Sequence, residues 1–287
     1  MSSDLISLIP NMRYTRRGFI ATSVTAGFTL AAGPVIAQTM IRTDTAGLSA
    51  SDIKIPSDEF EVPGYAAMPA TGGPFPVILV VQEIFGVHEH IKDVCRRFAK
   101  EGYLAVAPDL YARKADMSKV TNVQEAMKIA GETPDEQVMA DLDATVAWAK
   151  ASGKGDTDKL GITGFCWGGR IAWLYAAHNP NLKAAVAWYG RVVGTPDPLH
   201  PKHPLELAAQ LHAPVLGLYG GADQGIPVET VERMRDAARA AGKKVEIIVY
   251  PEAGHAFHAD YRPSYREEAA KDGWKKALAW FREHGVG

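Results

Sequence analysis

The chain has 287 residues, 47% of them hydrophobic and 22% charged, with a formal net charge of −2 at neutral pH. That length and composition suit one globular domain behind a short leader, and the near-neutral balance gives no footprint for nucleic acid. Two cysteines, Cys95 and Cys166, are too few for a disulfide framework.

Residues 1–37 read as an address and not as a fold element. Tyr14-Thr15-Arg16-Arg17-Gly18-Phe19-Ile20 is a twin-arginine pattern, and a run rich in Ala, Gly, Thr and Ser extends from Phe19 to Ala37. A charged front, an apolar middle and a small residue at the end describe an export signal. The expectation is a twin-arginine signal cut near Ala37, export of the folded chain to a bacterial periplasm by the twin-arginine translocation machinery, and no membrane contact afterwards. An uncut N-terminal anchor is the alternative. A reactive thiol in an oxidising compartment would need a shielded pocket.

Residues 38–54 are polar and predict a linker, with the folded domain over 55–287. Phe60-Glu61-Val62 and Tyr65-Ala66-Ala67-Met68 predict an edge hairpin. PFPVILVVQEIFG is a near-continuous apolar run, as a strand covered on both faces requires. HEHIKDVCRRFAKEGY is amphipathic, and Cys95 within it reads as a buried structural thiol. YLAVAPDLYA is the next strand. Residues 113–133 are irregular, with a short helix over Val123–Ala130, and DEQVMADLDATVAWAKASG is a long helix. KLGITGF, LKAAVAWYG, APVLGLYGGAD and VEIIVYPEAGH supply further strands, with helices at RIAWLYAAH, VETVERMRDAARAAG and REEAAKDGWKKALAWFREHG. Strands alternating with helices predict βαβ units and an α/β fold with a mostly parallel sheet.

In such sheets the chemistry lies at the carboxyl ends of the strands. One of them, Gly164-Phe165-Cys166-Trp167-Gly168, has the spacing of a nucleophile elbow with cysteine in place of serine. The glycines of an elbow leave room where strand and helix backbones meet. Two further strand ends carry Asp223 and His255, giving the order nucleophile, acid, histidine of an α/β-hydrolase. His255 is suited to take the thiol proton and hand it to the leaving group, and Asp223 to orient the imidazole. A packed core cysteine, a turn aspartate and a loop histidine are the bland alternatives.

The chain resembles the dienelactone hydrolase family at QEIFGV (Gln82–Val87), PDLYAR (Pro108–Arg113), GFCWGG (Gly164–Gly169), GGADQGIP with Asp223, and EAGHAF (Glu252–Phe257). The resemblance covers most of residues 55–285. It implies an α/β-hydrolase fold and a carboxymethylenebutenolidase-like hydrolase of small esters or lactones, using Cys166, His255 and Asp223. It adds Glu83, which in that family contacts the nucleophilic cysteine and takes its proton when substrate binds. It places the oxyanion hole at the backbone N–H groups of Ile84 and Trp167. No metal or organic cofactor is implied, and the partner is a small ester or lactone. The family's two carboxylate-binding arginines are not matched: Ala259 stands four residues after His255, and Val123 or its neighbours stand at the other position. Arg262, Arg113 and Arg191 are the candidate replacements, and Tyr111 is a further candidate substrate contact. A general esterase or thioesterase, and a binding protein without turnover, are the rival functions. A redox role for Cys166 lacks a C-x-x-C partner.

Overall fold

The computed structural model describes residues 39–287 together with Ala31 and Gly33. The expected export signal therefore lies almost wholly outside the described residues. The core is one eight-stranded sheet in the order β1-β2-β4-β3-β5-β6-β7-β8. Its strands are β1 (Leu48–Ser57), β2 (Phe60–Pro69), β3 (Phe75–Val81), β4 (Leu104–Pro108), β5 (Gly155–Phe165), β6 (Ala184–Trp188), β7 (Val215–Gly220) and β8 (Val245–Tyr250). From β4 to β8 every neighbouring pair is parallel. β1 and β2 add an antiparallel edge.

Composition explains the difference. β3 (FPVILVV) and β6 (AAVAW) are apolar almost throughout, and Val77–Val81 and Ala184–Trp188 are buried. Strands sandwiched between helices carry such unbroken runs. β1 (LSASDIKIPS) is half polar and half exposed, as suits an edge.

The helices packed around the sheet are α1 (Glu89–Lys100), α2 (Val123–Gly131), α3 (Asp135–Ala151), α4 (Trp167–His178), α5 (Val228–Ala240) and α6 (Glu267–Glu283). Their starts follow local chemistry. The Asn122 side chain accepts from the Glu125 N–H at 2.8 Å and caps α2, and Pro134 and Pro227 precede α3 and α5.

The amino-terminal end departs from expectation. Residues 48–54, expected as linker, form most of β1, whose register with β2 runs from Leu48 opposite Pro69 to Ser57 opposite Phe60. The hairpin therefore joins β1 to β2, and Phe60–Met68 is a single strand. Residues 39–47 are strapped to α1. The Thr43 N–H donates to Asp93 at 2.6 Å, Arg96 donates to the Thr43 carbonyl at 3.0 Å, and Lys100 to the Ala46 carbonyl at 2.7 Å.

β3 lies between β4 and β5, so the chain leaves it to one side and later returns on the other. This is the topological switch point, where open α/β sheets hold their ligands. Glu83 follows β3 and Cys166 follows β5, so the switch brings the two loops side by side.

Candidate active site

Cys166 sits between β5 and α4 with φ 56° and ψ −115°. A non-glycine residue at positive φ carries strain that the surroundings must hold in place. Here backbone contacts hold it. A Cβ on Gly164 would collide with the Gly168 carbonyl, and one on Gly168 would collide with the Val81 carbonyl and reach within 2.5 Å of that of Gln82. The Cys166 N–H donates to the Trp188 carbonyl at 3.0 Å. The expected elbow is thus present, and its first helical turn rests on the β3 loop that carries Glu83.

Asp223 and His255 arrive from the ends of β7 and β8. His255 Nδ1 lies 2.7 Å from Asp223 Oδ2, and the Gly225 N–H donates to Asp223 Oδ1 at 2.9 Å. Both carboxylate oxygens are therefore held, which fixes the imidazole plane. Burial opposes charge on His255, but the Cys166 side chain and Asp223 together raise its pKa to about 10. Cys166, His255, Ile84 and Trp167 all line one pocket of about 220 Å³. Trp167 is the first residue of α4, so its N–H has no partner within the helix.

The pocket is largely apolar. Met127, Ala130 and Gly131 of α2 form one side, with Ile226 and Tyr189 among the other walls. Two arginines line it, Arg170 and Arg191. Arg170 holds Asp135 in a two-pronged pair at 2.6 and 2.7 Å.

Glu83 is almost fully buried, at 2% exposure. The Tyr261 hydroxyl donates to its Oε2 at 2.5 Å, and His88 Nε2 lies 3.6 Å from the same oxygen. Burial disfavours its charge, yet His88, His90 and Tyr261 hold its pKa well below the usual carboxylate range. The loop that carries Glu83 abuts the elbow, where the Gly168 backbone comes against the Val81 and Gln82 carbonyls. Among the described residues, however, no hydrogen bond joins Glu83 to the Cys166 sulfur.

The candidate substrate residues fare differently. Arg113 is not brought to the site. Asp141 holds it at 2.8 and 3.2 Å, the Ser57 carbonyl accepts from it at 3.0 Å, and it stacks 4.7 Å from the Phe60 ring. A buried carboxylate has claimed its charge for the β1–β2 corner. Arg262 is buried and lies 5.6 Å from the Phe85 ring, and its charge bears on Tyr189 and Tyr261. It stands behind the Glu83 cluster and does not line the pocket. Tyr111 packs 4.8 Å from Trp167, also outside the lining. Cys95 is fully buried, and burial pushes its thiol far up.

Sequence reasoning missed a buried cluster beside Glu83. His88 and His90 stack 6.1 Å apart, His90 lies 5.8 Å from His258, and Tyr261 lies 5.2 Å from both His88 and His90. His-Glu-His at positions 88–90 was the visible trace of it. The described residues hold no group of three or more ligands fit for a metal.

Known proteins give this geometry its context. A family model described as the dienelactone hydrolase family matches residues 62–285. A protein of Methylorubrum extorquens named carboxymethylenebutenolidase is 64% identical over 285 residues, covering 99% of this chain and 98% of that one. A Bradyrhizobium protein named as a 2-oxo-3-(5-oxofuran-2-ylidene)propanoate lactonase is 34% identical over 227 residues, covering 78% and 90%. The crystal structure of a Klebsiella pneumoniae protein titled as a dienelactone hydrolase superposes with a TM-score of 0.80 at 57% identity, covering 82% of this chain and 99% of that one. The chain belongs to the dienelactone hydrolase family and is a hydrolase of that kind.

Proposed function

We propose that the protein hydrolyses small carboxylic esters or lactones through an acyl-enzyme on Cys166. The observation that carries this reading is the shared pocket: the elbow cysteine and the imidazole fixed by Asp223 open onto the same space. In the scheme, the Cys166 thiolate attacks the carbonyl carbon while His255 is imidazolium. The oxygen that gains the electron pair is met by the N–H groups of Ile84 and Trp167; losing one such donor costs about 3–4 kcal/mol in known hydrolases. Collapse breaks the bond to the alkoxide, which takes the His255 proton. The neutral imidazole then removes a proton from water, hydroxide displaces the thiolate, and the acid leaves.

Cysteine narrows the substrate. Thiolate is itself a good leaving group, so the first intermediate goes forward only when the substrate's own leaving group is better. An enol lactone or activated ester meets that condition, and an amide does not. The relatives' names, a butenolidase and a lactonase, support the lactone class. Glu83 acts in this scheme on the ionisation of the thiol. The twin-arginine pattern supports export to a periplasm, and replacing Arg16 and Arg17 with Lys is expected to abolish periplasmic yield.

The test is steady-state hydrolysis of a dienelactone and of a nitrophenyl ester by the protein, beside Cys166→Ala. Turnover of the lactone, lost in the variant, is the expected result. Turnover that survives in Cys166→Ala overturns the scheme.

A further inference from the structure

The glycines around the active site fall into two kinds. Gly164 and Gly168 have no room for a side chain, because a Cβ on either one strikes backbone. Gly131 lines the pocket that holds Cys166 and His255, and a Cβ added to it meets nothing within 4 Å. Its φ is not positive, so the backbone does not call for glycine either. Nor does it close the helix. Gly131 is the last residue of α2, and the residues after it seal the end. The Glu132 N–H donates to the Lys128 carbonyl at 2.9 Å, and the Thr133 hydroxyl donates to the Ile129 carbonyl at 2.8 Å. A helix-ending glycine ordinarily stands beyond the last turn, in the left-handed region. Inside a helix, glycine is less stable than alanine, because it surrenders more chain entropy. Neither conformation nor packing accounts for this glycine.

Its place on the helix shows where a side chain would go. Met127, Ala130 and Gly131 are spaced i, i+3 and i+4, so they share one face, and all three line the pocket. Helical side chains lean toward the amino end of their helix. One at position 131 would therefore run along this face toward Met127, into a space of about 220 Å³. The end of α2 is also pinned. His200 Nε2 lies 3.1 Å from the Thr133 carbonyl oxygen, and the Asp135 N–H donates to the Leu199 carbonyl at 3.0 Å. Arg170 grips the Asp135 carboxylate at 2.6 and 2.7 Å. With the helix end held, an added side chain takes its volume from the pocket, since the wall yields only at a cost in strain.

We infer that Gly131 is a specificity-determining residue: its missing side chain keeps open a bay in the α2 wall that receives an apolar substituent of the ester or lactone. This rests on the reading of the pocket as the substrate site. Met127 and Ala130, its neighbours on the helix face, make the bay apolar, which suits an alkyl or aryl group. Such a surface selects by size, and one methylene in a hydrophobic pocket changes kcat/KM by roughly 10–200-fold. The glycine thus gives up helix stability for breadth of substrate.

The experiment is kcat/KM for two series of esters, with the full-length chain. Nitrophenyl acetate, butyrate and hexanoate enlarge the acyl part, and phenyl and naphthyl acetate enlarge the leaving group. Wild type, Gly131→Ala and Gly131→Leu are compared. Gly131→Leu is expected to lower the ratio of largest to smallest substrate by at least about tenfold in one series, and Gly131→Ala by less. Adding Met127→Ala to Gly131→Leu is expected to restore part of that ratio, because it empties space one turn earlier on the same face. Gly131→Ala is expected to melt no lower than wild type. A ratio that stays put in both series, or a lower melting point for Gly131→Ala, overturns the inference. Should Gly131→Leu fail to fold, Gly131→Ala and Met127→Ala make the comparison, the ratio falling in the first and rising in the second. Turnover that survives in Cys166→Ala defeats the reading of the site and this inference with it. Turnover lost in Cys166→Ala, with an unmoved ratio in the Gly131 variants, defeats the role of Gly131 alone.

Discussion

Two of the buried histidine–carboxylate pairs behave in opposite ways. His255 and Asp223 are 2.7 Å apart, and His255 rises to about 10. His88 and Glu83 are 3.6 Å apart, and His88 falls below its ordinary value. Burial pushes both histidines down. The third group makes the difference. At His255 a second acid, the Cys166 sulfur, joins the aspartate, and two acids against one base favour the imidazolium. At His88 a single carboxylate lies farther off, and the third group, His90, adds to burial in opposing charge, so the ring falls. The same residue types are thus driven in opposite directions by what stands beside them.

The first pair breaks most severely. Asp223→Asn leaves the ring without its acceptor, and kcat should fall by about 10⁴-fold, as in other triads, with little change in fold. Steady-state kinetics beside circular dichroism check this. Next, Cys166→Ser removes the second acid without removing the aspartate. His255 should drop by at least about one unit, read by NMR titration of its ring protons. If the ring still titrates near 10, the aspartate alone sets it.

The pH dependence of stability follows from the same shift. His255 is raised above its ordinary 6.5, so its contribution is complete below about 6.5 and disappears as pH rises through about 10. The urea midpoint should therefore decline toward pH 10, and Asp223→Asn should move that decline to lower pH.

The candidate catalytic residues were legible because their constraints are local. An elbow needs glycines at fixed offsets, and Gly164 and Gly168 supply them where backbones touch. Asp223 and His255 follow apolar strand runs that announce the sheet's carboxyl edge. The lost information is non-local. Nothing near Arg113 reveals that Asp141, 28 positions away, will hold it. Nothing near Tyr261 reveals that its hydroxyl crosses 178 positions to Glu83. Histidines 88, 90 and 258 lie in segments whose local pattern does not say which rings turn inward. β1 escaped notice for another reason. Clear apolar–polar alternation is confined to Ile53-Lys54-Ile55, shorter than the roughly four to eight residues that mark a half-buried strand.

That same polarity has a use of its own. β1 ends the sheet, and one side of an edge strand offers unpaired backbone groups to any passing chain. Asp52 and Lys54 place charges along it, tied to Lys92 and Glu61 at 2.6 and 2.7 Å, and Pro56 removes one N–H near its end. A second copy trying to add its own edge there would meet fixed charges and a missing donor. The segment that looks least like part of the fold is thus the one that discourages sheet-to-sheet aggregation.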